Sequence, residues 1–72
     1  MPAAVTERHF PAPWSVEEIS AGFIVRDSAG QKLAFIYFEN EPGRRAAAKL
    51  LTRDEAHRIA VDMAKLPELL RR

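Results

Sequence analysis

The sequence predicts an α+β domain: a small antiparallel sheet of one short strand plus a β-hairpin, covered on one face by a C-terminal amphipathic helix. Two local signals carry this prediction. Residues 22–27 and 32–39 are rich in β-branched and aromatic side chains and flank the turn sequence Asp27-Ser28-Ala29-Gly30. Further on, Thr52 stands three residues before Glu55, at the head of a run whose apolar residues recur at helical spacing.

The first strand is expected near the start of the ordered chain. Residues 1–13 contain Pro2, Pro11 and Pro13 and have no apolar period, so they read as a flexible arm, with 14–72 as the single domain. From Trp14, Val16 and Glu18 alternate with Ser15, Glu17 and Ile19, a weak two-residue period that suits a short edge strand. Trp14 is expected to anchor the core.

The hairpin is the strongest element. Asp27 at the first turn position and Gly30 at the fourth match a type I turn closed by a left-handed residue. This loop sets Asp27 opposite Gln31, Val25 opposite Leu33 and Phe23 opposite Phe35. In that register Phe23, Val25, Leu33, Phe35 and Tyr37 share one face, with Tyr37 in the core and its hydroxyl at the rim. Ile24, Ala34, Ile36 and Phe38 share the other. Both faces are apolar, and one helix covers only one of them. Ile24, Ala34, Ile36 and Phe38 are therefore the candidate protein interface. The competing expectation is that residues 44–51, or the tail at Leu69 and Leu70, fold back over them.

Asn40-Glu41-Pro42-Gly43 ends the sheet, and Arg44 to Leu51 reads ambiguously, with its three alanines favouring a short helix. Thr52 and Glu55 form a capping box, and Asp54 and Glu55 suit the positive end of the helix. Ala56, Ile59, Ala60, Met63 and Leu66 give the apolar stripe. Pro67 cannot donate to residue 63, so the helix ends near Leu66, with one more turn over Pro67 to Leu70.

The strings Phe23-Ile-Val-Arg-Asp-Ser-Ala-Gly, Leu33-Ala-Phe-Ile-Tyr-Phe, Leu51-Thr-Arg-Asp-Glu-Ala-His-Arg-Ile-Ala and Ala64-Lys-Leu-Pro-Glu-Leu-Leu together resemble a family of small uncharacterised alphaproteobacterial proteins. The resemblance covers about residues 10–71. A more distant one, to small phage-associated proteins, rests on the Trp, the Asp-x-x-Gly hairpin and the C-terminal Pro-Glu-Leu-Leu. The closer resemblance implies a bacterial, cytoplasmic origin and the strand–hairpin–helix order. It implies no activity and no site residues.

Composition narrows the function classes. Seventy-two residues make one domain with a small core, of a size that rarely supplies more than roughly 3–5 kcal/mol. Without cysteine there is no disulfide and no ordinary structural zinc site, and His9 and His57 are the only histidines. No metal or cofactor is expected. Self-association is the remaining way to reinforce so small a core. No charged start leads into an apolar run, and nothing approaches the ~20 apolar residues of a membrane span, so a cytoplasmic chain without a membrane partner is expected.

Charge is divided along the chain. Residues 14–43 hold five acids and two bases, a net −3, whereas residues 44–72 hold eight bases and four acids, a net +4. Arg44, Arg45, Lys49, Arg53 and Arg58 are candidate contacts to phosphate or nucleic acid; the competing expectation is that they pair with the acidic half. For catalysis, only Asp54, Glu55 and His57 cluster, in a first helical turn. A domain this small has little room for a pocket of ~300 Å³, so no enzyme is expected. The sequence reading is therefore an interaction module, a homodimer or the binder of an unidentified protein, with weak nucleic-acid binding through 44–58 as the alternative.

Overall fold

A computed structural model describes residues 10–70. Three strands, β1 (Ser15–Ile19), β2 (Gly22–Arg26) and β3 (Lys32–Tyr37), form one antiparallel sheet in the order β1-β2-β3. Three helices follow: α1 (Pro42–Ala48), α2 (Arg53–Ala64) and α3 (Leu66–Leu70). The α+β class and the helix lying across one sheet face are as the sequence predicts: α2 packs against all three strands.

The hairpin turn forms as expected. Asp27 donates its backbone N–H to the carbonyl of Gln31 at 3.0 Å, and its Oδ1 accepts from the backbone N–H groups of Ala29 and Gln31 at 2.9 and 2.8 Å. Gly30 has φ +92°, the left-handed region in which a Cβ is strained. Asp27 is buried, yet both its backbone N–H and Oδ1 are satisfied within the loop.

One step beyond the turn, the register departs from expectation. Arg26 pairs with Lys32, but Val25 pairs with Ala34 and Phe23 with Ile36, so Leu33 is the extra residue of a β-bulge. Because side chains alternate with a period of two, a one-residue slip exchanges the faces of β3. Ala34 and Ile36 therefore join Phe23 and Val25 beneath α2, and Phe38 follows them into the core. The rings of Phe23 and Phe38 lie 5.7 Å apart. Phe35 and Tyr37 turn to the opposite side; Tyr37 is not in the core.

Two alanines let the helix approach the sheet closely. Ala56 and Ala60 are fully buried, with Met63 and Ala64 packed beside them and Trp14, Val16 and Leu51 closing the rim. Ile59, expected on the same stripe, is 45% exposed. The buried stripe runs through the small residues, because a bulky side chain at the closest approach would hold the helix off the sheet.

Local chemistry explains the helix ends. Thr52 Oγ1 accepts from the Glu55 N–H at 3.0 Å, and the Glu55 carboxylate accepts from the Thr52 N–H at 2.9 Å, completing the capping box. The helix stops at Ala64, and Lys65 donates back to Asp62 at 3.2 Å, before Pro67. In α1, Pro42 occupies the first turn and Glu41 caps it by accepting from the Arg44 N–H at 2.7 Å. The proline that ends the sheet thus also starts the helix. Lys49 ends α1 in the left-handed conformation, φ 56°.

Most of the expected arm, 1–13, lies outside the described residues. Its last residues are tied down: the Pro11 carbonyl accepts from the Ser28 N–H at 2.9 Å, and the Trp14 indole donates to the Phe10 carbonyl at 2.9 Å.

Candidate functional site

The bulge divides the candidate interface of Ile24, Ala34, Ile36 and Phe38. Ala34 and Ile36, partly buried, pack against the core beneath α2, and Phe38 is part of that core. Only Ile24 stands on the other face, in the central strand between its cross-strand neighbours Glu17 and Phe35, and it is only 5% exposed. The two residues that do reach solvent there are Phe35, 44% exposed, and Tyr37, 61% exposed. Sequence reading assigned both to the core. The signal that would have exposed them is the bulge, which leaves no mark in composition.

Phe35 and Tyr37 are neighbours on one strand face. Their rings stack, with centroids 5.9 Å apart and planes 8° from parallel, and Lys32 Nζ lies 5.8 Å from the Phe35 ring centre. Glu17 and Arg26 border this face, joined by hydrogen bonds of 2.7 and 3.0 Å. Of the two segments expected to fold back over Ile24, Ala34, Ile36 and Phe38, 44–51 contributes Leu51 to the core side, and neither segment covers the Phe35–Tyr37 face. Among the described residues α1 packs on no other element, and Leu69 and Leu70 point to solvent.

The basic candidates are largely engaged with carboxylates. Arg53 reaches back from α2 to β1 and donates to both oxygens of Glu18, at 2.6 and 2.8 Å, and its guanidinium also covers the Phe23 ring at 5.5 Å. Arg44 pairs with Glu39 at 3.0 Å, Arg45 donates to the Glu39 carbonyl at 3.0 Å, and Arg58 stands 3.8 Å from Asp62. Lys49 is exposed at the end of α1. The hydrogen bond from Arg53 holds the Glu18 carboxyl below its ordinary value, and that from Arg44 does the same for Glu39. Each guanidinium is correspondingly held protonated more firmly. The acidic and basic halves of the sequence therefore meet within one chain at the Arg53–Glu18 pair.

The Asp54, Glu55 and His57 cluster is occupied by structural contacts. Glu55 completes the helix cap, His57 packs its ring 5.2 Å from that of Phe23, and Asp54 lies 3.6 Å from Arg53. Among the described residues no group of three acids and histidines could hold a metal ion. Two surface grooves of about 510 and 470 Å³ open to solvent, one along Leu51, Asp54, Arg58 and Ile59, the other between Ala21, Phe38, Asn40 and Arg44. No helix of the described residues is long and apolar enough to cross a membrane. No family model, curated protein or solved structure matches the chain.

Proposed function

We propose that this domain is a self-associating interaction module whose contact region is the exposed side of β3, its aromatic face together with the open strand edge beside it. The observation that carries the reading is the stacked pair Phe35–Tyr37, two large aromatic side chains held in the open on a rigid strand. Exposed aromatic area of this kind marks interfaces because it gains much from burial at little cost in side-chain freedom. A second copy would also extend the small core of a 72-residue chain that has no cysteine to staple it. The cytoplasmic, bacterial setting expected from the sequence goes with this reading.

Phosphate binding through 44–58 has less support, because Arg44, Arg53 and Arg58 each stand beside a carboxylate of the same chain. The test is sedimentation equilibrium of the native chain and of the double variant Phe35→Ser/Tyr37→Ser. The native chain should approach twice its 8.1 kDa mass as concentration rises. The variant should stay monomeric with an unchanged circular dichroism spectrum. A native chain that stays at 8.1 kDa throughout refutes the reading.

A further inference from the structure

Resting on that reading, we infer that two copies join edge to edge, through an antiparallel pairing of β3 with β3 centred on Phe35. Three observations lead there. The first is the direction of the backbone. The Phe38 N–H bonds to the Ala21 carbonyl at 3.1 Å, towards β2. In an antiparallel ladder alternate residues face alternate sides, so Ala34 and Ile36 also face β2, while the amides of Phe35 and Tyr37 face away from it. Among the described residues β3 has a strand neighbour on one side only. The open stretch ends at Glu39, whose N–H is taken by the Leu51 carbonyl at 3.0 Å.

The second is the lack of guarding charge. Strand edges are protected from pairing by charged side chains. β1, the other edge, exposes both Glu17 and Glu18, whereas between Lys32 and Tyr37 the only charge on β3 is Lys32 itself. Beyond the bulge at Leu33, the edge of β3 is Ala-Phe-Ile-Tyr, without charge, and both of its outward amides belong to the exposed aromatics.

The third is charge complementarity. β3 begins with a cation, Lys32, and the chain just beyond its end carries Glu39, a carboxylate shared with Arg44. An antiparallel pairing keeps the two Lys32 side chains at opposite ends of the ladder, each near the Glu39 end of the other copy, whereas a parallel pairing would set the two cations side by side. Centring on Phe35 keeps the ladder within the open stretch and short of Glu39. Phe35 then meets Phe35 of the second copy across the two-fold axis, with Tyr37 opposite Leu33 of that copy. The two stacked aromatic pairs become one row on a continuous six-stranded sheet, a strand addition in which backbone bonds supply affinity and the aromatic row sets the register.

The experiment is amide hydrogen exchange on the native chain, read residue by residue by NMR at low and high concentration, alongside its sedimentation mass. Edge pairing predicts that the Phe35 and Tyr37 amides slow by roughly tenfold or more as the dimer forms, while the Glu17 and Glu18 amides on the other edge do not change. Tyr37→Pro removes one outward donor without touching the β2 ladder, so it should abolish the dimer, where Tyr37→Ala only weakens it. A dimer in which the Phe35 and Tyr37 amides exchange as fast as in the monomer overturns the edge geometry and leaves association through the sheet face standing. A chain monomeric at every concentration overturns both, and an oligothymidylate that then shifts the Phe35 and Tyr37 resonances at low salt reassigns the face to single-stranded nucleic acid.

Discussion

Arg53 and Glu18, thirty-five residues apart, form a two-pronged hydrogen-bonded pair that fastens the first turn of α2 to β1. The pair has a pH signature. Because Arg53 lowers the Glu18 carboxyl from its ordinary 4.5, the contribution is complete above that value and is lost as pH falls through the folded-state one. Glu39, lowered by Arg44, acts in the same direction. The melting temperature should therefore fall modestly below about pH 4.5 in the native chain. In Glu18→Gln it should start lower at pH 7 and fall less on acidification. Thermal melts between pH 3 and 7 check this; parallel curves for the two proteins would remove the pair from the account.

Gly22 and Gly30 are needed for different reasons. A Cβ on Gly22 would lie 2.5 Å from the Ile36 carbonyl oxygen, a backbone atom that cannot swing aside, whereas one on Gly30 meets nothing within 4 Å. Gly30→Ala carries only the strain of its positive φ, about 1 kcal/mol. Gly22→Ala must part β2 from β3 and should cost more, roughly 2–3 kcal/mol. Urea denaturation of the two variants gives the order directly.

The capping box predicts a modest, localised loss. Thr52→Ala strands the Glu55 N–H and should cost about 1 kcal/mol, while Thr52→Ser, which keeps the acceptor oxygen, should cost little. The measurement is the denaturation midpoint of each, at an unchanged m-value.

Adjacent positions on α2 should behave oppositely. Ile59 is half in solvent, so Ile59→Ser should change stability by no more than about 0.5 kcal/mol. Ala60 is sealed against the sheet, so Ala60→Leu should cost roughly 1–3 kcal/mol by overpacking, a large share of what so small a core holds. If Ile59→Ser proved the more damaging, the helix would face the sheet by a different stripe.

Much of the fold was legible. The Asp27–Gly30 turn, the Thr52–Glu55 cap and the stop before Pro67 were read correctly, as was the helix-over-sheet arrangement. The candidate site was not. Of its four residues, Phe38 belongs to the core and Ala34 and Ile36 pack against it, and the exposed pair Phe35–Tyr37 was assigned inward. The arginines after Gly43 were legible as a cluster, but Arg53 finds Glu18 only because α2 crosses β1.

The sequence by itself determined the elements and their ends, because these depend on backbone chemistry within four or five residues: a carboxylate satisfying its own turn, a hydroxyl accepting from an orphan N–H, a proline with nothing to donate. Only the tertiary structure decided which face of β3 is buried. Both faces are apolar, so the alternation of side chains carries no preference for either one. A single bulge at Leu33 reverses the two faces without altering composition or strand length. The choice is made when Phe23, Val25, Ile36 and Phe38 close together beneath the alanines of α2, and the same closure leaves Phe35 and Tyr37 outside.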